Sequence, residues 1–68
     1  MIAEDNLNYV ERLIAIYDLL KNTRKKIKSN ELAKMYDVSI RTISRDIKKL
    51  KNAGVAVYGY VDGYMIIE

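Results

Sequence analysis

Apolar residues recur at helical spacing through the first third of the chain and predict a helix from about Asn6 to Lys21. Asp5 or Asn6 is the expected N-cap of this helix. Ile16 lies outside the apolar stripe, where it either widens the core face or meets another subunit. The stripe consists of Leu7, Val10, Leu13, Ile14, Tyr17 and Leu20.

Residues 21–29 are polar and basic apart from Ile27. Because Ile27 alternates with Lys26 and Lys28, it resembles a very short strand, which we expect to pair with a later hairpin. A solvated loop is the default interpretation of the basic residues in this segment, and a localisation signal or a group of phosphate contacts is the alternative. These residues are Arg24, Lys25, Lys26 and Lys28.

A second, short helix is predicted over residues 30–36. Ser29 is its expected N-cap, and Glu31 lies in the first turn, where a carboxylate favours the helix dipole. Ala33 is small enough to lie where two helices cross closely. The expected buried residues are Leu32, Met35 and Tyr36.

A third helix is predicted after a sharp turn at Asp37, a position that calls for left-handed backbone. Ser39 is the expected N-cap, and Val38 and Ile43 have the spacing of a hydrophobic staple across the helix start. Gly54 is expected just beyond the helix end in the left-handed conformation. The apolar stripe of this helix is Ile43, Ile47 and Leu50.

The opposite side of the third helix is cationic. Most faces of this kind are ordinary solvated charges, but a helix that follows a short helix and a tight turn is also how many proteins reach into a DNA groove. The residues of this face are Arg41, Arg45, Lys48 and Asn52.

Two β-type runs, at 55–60 and 64–67, end the chain. Val61-Asp62-Gly63 joins them, and Asp-Gly between such runs is a strong hairpin signal. The expected fold class is α+β, with three helices, a short strand before the second helix and a C-terminal hairpin, in one domain over residues 1–68. A chain of this length builds only a modest core.

The charge distribution supports a polyanionic partner. Residues 1–20 carry one cation and four anions, residues 21–52 carry eleven cations and three anions for a net +8, and residues 53–68 carry two anions. Positive charge concentrated around the predicted helix pair is typical of nucleic-acid binding.

The composition also restricts the chemistry. The chain contains no cysteine and no histidine, which removes disulfides, thiolate zinc sites, Cys–His pairs and the usual general base. We expect no enzyme activity, no metal, no cofactor and no small-molecule ligand. No apolar run approaches a membrane span, and Glu4 and Asp5 stand where a signal peptide would be basic, so we expect a cytoplasmic protein with no membrane partner.

The order of elements and one set of residues resemble the winged helix-turn-helix domain of the DeoR-like and biotin-repressor-like bacterial regulators, found also at the N-terminus of WYL-domain regulators. The resemblance covers about residues 10–66, with the helix-turn-helix at about 29–53 and the wing at about 55–67. The residues that carry it are Glu31-Leu32-Ala33, Val38-Ser39, Arg41-Thr42-Ile43, Arg45-Asp46-Ile47, Leu50 and Gly54.

This resemblance implies roles for the third helix. In such proteins the helix beginning at Ser39 is the recognition helix, with Ser39 and Thr42 near phosphates. Asp46 would be repelled by DNA, which makes it a structural ion-pair partner or cap. The implied base-reading residues are Ile40, Arg41, Ser44 and Arg45, and the implied phosphate contacts further along the helix are Lys48, Lys49 and Lys51.

The wing departs from the family pattern. Its tip offers Tyr60, Val61 and Asp62 where a DNA-gripping wing usually carries Arg or Lys, so little electrostatic affinity is expected from it. The three tyrosines, at 58, 60 and 64, are expected mainly to pack the hairpin. Auxiliary DNA contacts are assigned to Lys26, Lys28 and Tyr60.

The leading hypothesis is therefore a sequence-specific, double-stranded DNA-binding transcription regulator, with homodimerisation through the first helix. Two alternatives stay open: a winged-helix module that binds other proteins, and an architectural or relaxosome-type accessory factor that acts through phosphates. The chain is either a minimal phage-type or plasmid-type regulator or the DNA-binding piece of a longer protein.

Overall fold

The computed structural model of the protein describes the backbone of residues 2–60 and 63–67 and the side chains of residues 9–59 and 63–67. Three helices are followed by an antiparallel hairpin, which confirms the α+β winged-helix architecture. In the described part of the chain, no helix is long and apolar enough to cross a membrane.

Helix α1 spans Ile2–Asn22, so it begins earlier than predicted. Asp5 and Asn6 lie inside it, and the prediction that one of them caps the helix is wrong. The residues before them include Ala3 and Glu4, which are strong helix formers, and no glycine or proline stops the helix there.

The buried face of α1 is rotated relative to the predicted stripe. Ile16 and Leu20 are completely buried, whereas Val10 and Ile14 are 49% and 62% exposed. The predicted stripe is thus correct at Leu20 and wrong at Val10 and Ile14, because the buried face includes a charged residue, Arg12, which a count of apolar positions leaves out. Leu13, Tyr17 and Leu19 are partly buried against the core, and the side chain of Leu7 lies outside the described residues.

Helix α2 spans Ser29–Tyr36 and begins one residue before its predicted start. Lys28, not Ser29, is the N-cap residue, and its backbone N–H donates to Glu31 Oε1 at 3.0 Å. Ser29 is completely buried in the first turn.

The buried side of α2 follows a helical repeat that excludes Met35. Leu32 and Ala33 are buried and Tyr36 is partly buried, whereas Met35 is 54% exposed, so its predicted burial is wrong. Met35 lies between Leu32 and Tyr36 in sequence but is turned away from their side of the helix.

Asp37 makes the turn after α2 with φ 55° and ψ 49°, which confirms the left-handed conformation. The next N–H, of Val38, donates to Ala33 O at 2.9 Å and closes the end of α2. Three residues, 37–39, separate α2 from helix α3, which spans Ile40–Asn52.

Helix α3 buries its apolar stripe as predicted, and Gly54, two residues beyond its end, has the expected left-handed conformation with φ 96°. Gly54 N–H donates to Lys51 O and Val55 N–H donates to Leu50 O, both at 3.0 Å. These two bonds form a Schellman motif, which needs the left-handed residue that glycine supplies.

The hairpin consists of β1, Val57–Tyr60, and β2, Gly63–Ile66, with Val57 opposite Ile66. Gly63 is paired in β2 and is not a turn residue, and Val61 and Asp62 lie outside the described residues. The side chains of Val57, Tyr64 and Ile66 are buried against the helices. Tyr64 thus packs as expected.

Two tyrosines of the hairpin differ from Tyr64. Tyr58 is 58% exposed, which contradicts its expected packing role, because it lies on the outer face of the sheet. The side chain of Tyr60 lies outside the described residues.

Ile27 pairs with β2, which confirms the predicted short strand. Ile27 N–H donates to Tyr64 O, and Tyr64 N–H donates to Ile27 O, both at 2.9 Å. The buried Ile27 side chain joins the core, so the basic segment between α1 and α2 is fixed to the hairpin.

Candidate nucleic-acid interface

The start of α3 is fixed by hydroxyl groups. Ser39 Oγ accepts from the backbone N–H of Thr42 at 3.1 Å, which confirms the N-cap, and the two hydroxyl oxygens are also 3.1 Å apart. One of the two hydroxyl protons lies between these oxygens, and the other is free for a further acceptor. An anion at this position also faces the positive end of the helix dipole.

The solvent-facing side of α3 carries the predicted cations. With Ile43 pointing into the core, Arg41, Arg45 and Asn52 lie within about 20° of the opposite direction on a helical wheel. Ile40 is 43% exposed and Ser44 is partly buried at the edge of this face. The exposed residues of the face are Arg41, Arg45, Lys48, Lys49, Lys51 and Asn52.

Asp46 is turned away from this face and forms an ion pair with Arg12 of α1. Arg12 donates from Nε to Asp46 Oδ2 and from Nη2 to Oδ1, the second bond at 3.2 Å. The Asp46 side chain is 1% exposed and that of Arg12 is 16% exposed. The bond to Asp46 raises the pKa of Arg12, against the opposing effect of burial. Asp46 thus has the structural role expected of it, and its charge is compensated within the protein.

Tyr9 extends this contact between α1 and α3. Its ring lies 5.5 Å from Arg12 Cζ and 5.6 Å from Lys49 Nζ, both within reach of a cation–π contact. Lys49, predicted to contact phosphates, therefore leans towards α1, while Arg41 and Arg45 point to solvent.

The other predicted contacts lie on the hairpin or on the segment before α2 that pairs with it. Lys26 and Lys28 are exposed on either side of Ile27, and the side chain of Tyr60 lies outside the described residues. The structure thus brings the predicted residues together in two groups, one on α3 and one beside β2.

The sequence interpretation missed Tyr9 and gave Arg12 no role. The available signal was the isolation of Arg12, which is the single cation in residues 1–20 and lies among apolar positions. Cations in such surroundings are usually paired, but the partner on α3 follows from the packing and not from the spacing.

The α3 face is suited to binding a polyanion and reading base edges. Arginine presents a planar fork of donors that matches the O6 and N7 atoms of guanine, and lysine acts as a point charge towards phosphates. Among the described residues, no three acidic side chains cluster as a metal site would require.

Comparison with known proteins agrees with this geometry. Residues 12–65 match a protein family described as an HTH (helix-turn-helix) domain. The chain is also 42% identical over 48 residues to a Bacillus subtilis (strain 168) protein named "Uncharacterized HTH-type transcriptional regulator YobV". That alignment covers 71% of this chain but only 15% of the length of the relative.

Proposed function

Because the chain belongs to the HTH (helix-turn-helix) domain family, we propose that it acts in transcription regulation by binding specific sequences of double-stranded DNA with α3 in the major groove. The observation that carries this proposal is the exposed cationic face of α3, held on a helix whose two ends are capped and whose apolar side is buried. The relative named as a transcriptional regulator supports the same function.

Base reading is assigned to the first half of α3. Arg41 and Arg45 are exposed, lie one helical turn apart and point away from the core. Each bidentate contact to guanine contributes about 1–3 kcal/mol of discrimination against the wrong base. Ile40 and Ser44 lie beside them, where an apolar contact to a thymine methyl group and a hydrogen bond to a base edge are available.

Phosphate binding is assigned to the two ends of the helix. Ser39 and Thr42 offer the free hydroxyl proton at the positive end of the dipole, and three lysines line the second half. These lysines supply affinity that does not depend on sequence and that falls as salt concentration rises. They are Lys48, Lys49 and Lys51.

The test is selection of binding sites from a pool of random short duplexes, followed by sequencing. We expect the wild type to select a motif, and Arg41→Ala and Arg45→Ala each to lose preference at one motif position at a cost of about 1–3 kcal/mol. Arg24→Ala is the matched control, because it removes the same side chain from the segment between α1 and α2.

Two results would redirect the assignment. Equal affinity for unrelated duplexes, with a steep salt dependence, would favour the alternative of an architectural or accessory factor that binds DNA through phosphates. Absence of binding at about 50 mM salt, where phosphate contacts are stronger than at 200 mM, would refute DNA binding.

A second proposal concerns contact with protein through α1. Val10 and Ile14 lie one turn apart on its outer side and are 49% and 62% exposed. The favoured partner is a second copy of the chain, because a dimer reads two half-sites and a single module has a small footprint. The protein-interaction alternative uses the same surface.

A further inference from the structure

The wing has an unusual charge for a DNA-binding element. Residues 53–68 contain no lysine and no arginine, and their two charged residues are acidic. A hairpin of this composition contributes no charge-assisted contact to phosphates from its own side chains. The segment between α1 and α2, in contrast, carries four cations: Arg24, Lys25, Lys26 and Lys28.

That segment is part of the same sheet. The two 2.9 Å hydrogen bonds between Ile27 and Tyr64 place it beside β2. Because side chains alternate across a strand, the buried Ile27 directs Lys26 and Lys28 to the outer face, where Tyr58 is also exposed.

Lys26 is also fitted to the end of the hairpin. A Cβ atom placed on Gly63 would lie 2.8 Å from Lys26 Cβ and 3.3 Å from its Cδ, so the lysine stem crosses the place where a side chain would stand. Gly63 is correspondingly buried. Since Nζ is two bonds beyond Cδ, the ammonium group is carried at the turn end of the hairpin. The aliphatic stem covers backbone while the charge stays in water.

We propose that Lys26, seated across Gly63 and assisted by Lys28, supplies the phosphate contacts of the wing, so that the cations used by the hairpin come from the segment between α1 and α2. This inference rests on the proposed function. It assigns to the wing a contact with the DNA backbone beside the bases that α3 reads, and it gives Gly63 the role of making room for the lysine.

The experiment measures affinity for the selected duplex by fluorescence anisotropy between 50 and 200 mM salt. Lys26→Met keeps an apolar stem across Gly63 and removes the charge. Each phosphate contact adds about 0.9 to the slope of log K against log salt, so over this range the wild type should lose about 3.5-fold more affinity than Lys26→Met. The selected motif should not change.

Two further variants separate this contact from general attraction. Lys25→Ala removes the same charge from the bend before Ile27, and we expect its salt slope to equal that of the wild type. Gly63→Ala should displace Lys26 and reproduce the slope of Lys26→Met, and the double variant should show no additional loss. Circular dichroism and thermal unfolding establish that each variant is folded.

The outcomes distinguish this inference from the proposed function. If the wild type selects a motif but Lys26→Met has the same salt slope as the wild type, the inference is wrong while the proposed function stands. The same conclusion follows if Lys25→Ala reduces the salt slope as much as Lys26→Met does. If the wild type binds no duplex, both are wrong. A Gly63→Ala variant that fails to fold leaves the comparison of Lys26→Met with Lys25→Ala to decide.

Discussion

At the scale of single residues, Asp37 determines how the chain passes from α2 to α3. Its φ of 55° lies in the left-handed region, which costs an ordinary L-residue about 1–2 kcal/mol and costs glycine little. Aspartate is one of the residues that tolerate this conformation. The left-handed backbone at Asp37 therefore lowers the stability of the fold by a small amount that substitution can measure.

The effect of replacing Asp37 on stability should depend on whether the new residue tolerates the left-handed conformation. We expect Asp37→Ala to lower the free energy of unfolding by about 1 kcal/mol and Asp37→Gly to leave it unchanged or raise it slightly. Urea denaturation followed by circular dichroism measures both. Equal effects of the two substitutions would show that the backbone conformation is not the cause.

Tyr36, the last residue of α2, predicts a pH dependence. Partial burial and the negative charge of Asp18 raise its pKa in the folded protein above the ordinary value of 10.0. As pH rises, the unfolded chain loses the phenol proton first. The contribution of Tyr36 to the free energy of unfolding is therefore fully present below pH 10.0 and is lost as pH rises through the folded-state pKa.

Denaturation of the wild type and of Tyr36→Phe at pH 8 and at pH 11, values about two units below and one above the ordinary tyrosine pKa, tests this dependence. We expect the wild type to lose more stability than Tyr36→Phe between these two conditions. The variant corrects for the titration of the other tyrosines and the lysines, so an equal loss in both proteins would contradict the prediction.

At the scale of elements, the Arg12–Asp46 pair joins α1 to the helix proposed to read DNA. The two partners differ in exposure, 16% for Arg12 and 1% for Asp46. Removing Arg12 leaves a carboxylate buried without its partner, whereas removing Asp46 leaves a guanidinium that can reach water. Substitution of Arg12 should therefore lower the free energy of unfolding more than substitution of Asp46.

We expect Arg12→Met to lower the free energy of unfolding by about 3 kcal/mol, the lower end of the range for a broken buried ion pair. Asp46→Asn should lower it by about half as much. The double variant should lose less stability than the sum of the two single variants, because it leaves no unpaired charge in the contact between α1 and α3. A double-mutant cycle by urea denaturation measures the difference. Additive effects would mean that the pair does not couple the helices.

Features of these elements that neighbouring residues determine could be predicted from the sequence, and features that depend on distant residues could not. The α3 cap at Ser39, the left-handed Gly54 and the strand at Ile27 were predicted correctly, because each is specified by neighbouring residues. The buried face of α1 was predicted only in part, since it includes Arg12, whose ion-pair partner Asp46 lies 34 positions away in the chain.

The candidate site shows the same division. The outward direction of Arg41 and Arg45 follows from helical periodicity, and the structure agrees. Two contacts arise only when elements pack together: Lys49 against Tyr9, and Lys26 across Gly63. The sequence therefore predicted which residues form the exposed face of α3, but not the contacts that other elements make beside it.

At the scale of the whole molecule, the net charge differs in sign between two surfaces. The net +8 of residues 21–52 lies on the last turn of α1, the segment after it, α2 and α3, whereas residues 1–20 are net negative and carry the exposed Val10 and Ile14. Anionic DNA is attracted to the first surface and repelled by the second. The outer side of α1 is therefore the surface proposed for a protein contact, and α3 is the surface proposed for DNA.

If that contact is made by a second copy, the wild type should sediment as a dimer and select a motif of two inverted half-sites. Ile14→Gln should yield a monomer that selects a single half-site with lower affinity, because the polar amide would have to be buried in the α1 contact. Met35→Gln is the matched control, since Met35 is 54% exposed on α2. A wild type that sediments as a monomer and selects a single half-site would instead assign the α1 surface to a different protein.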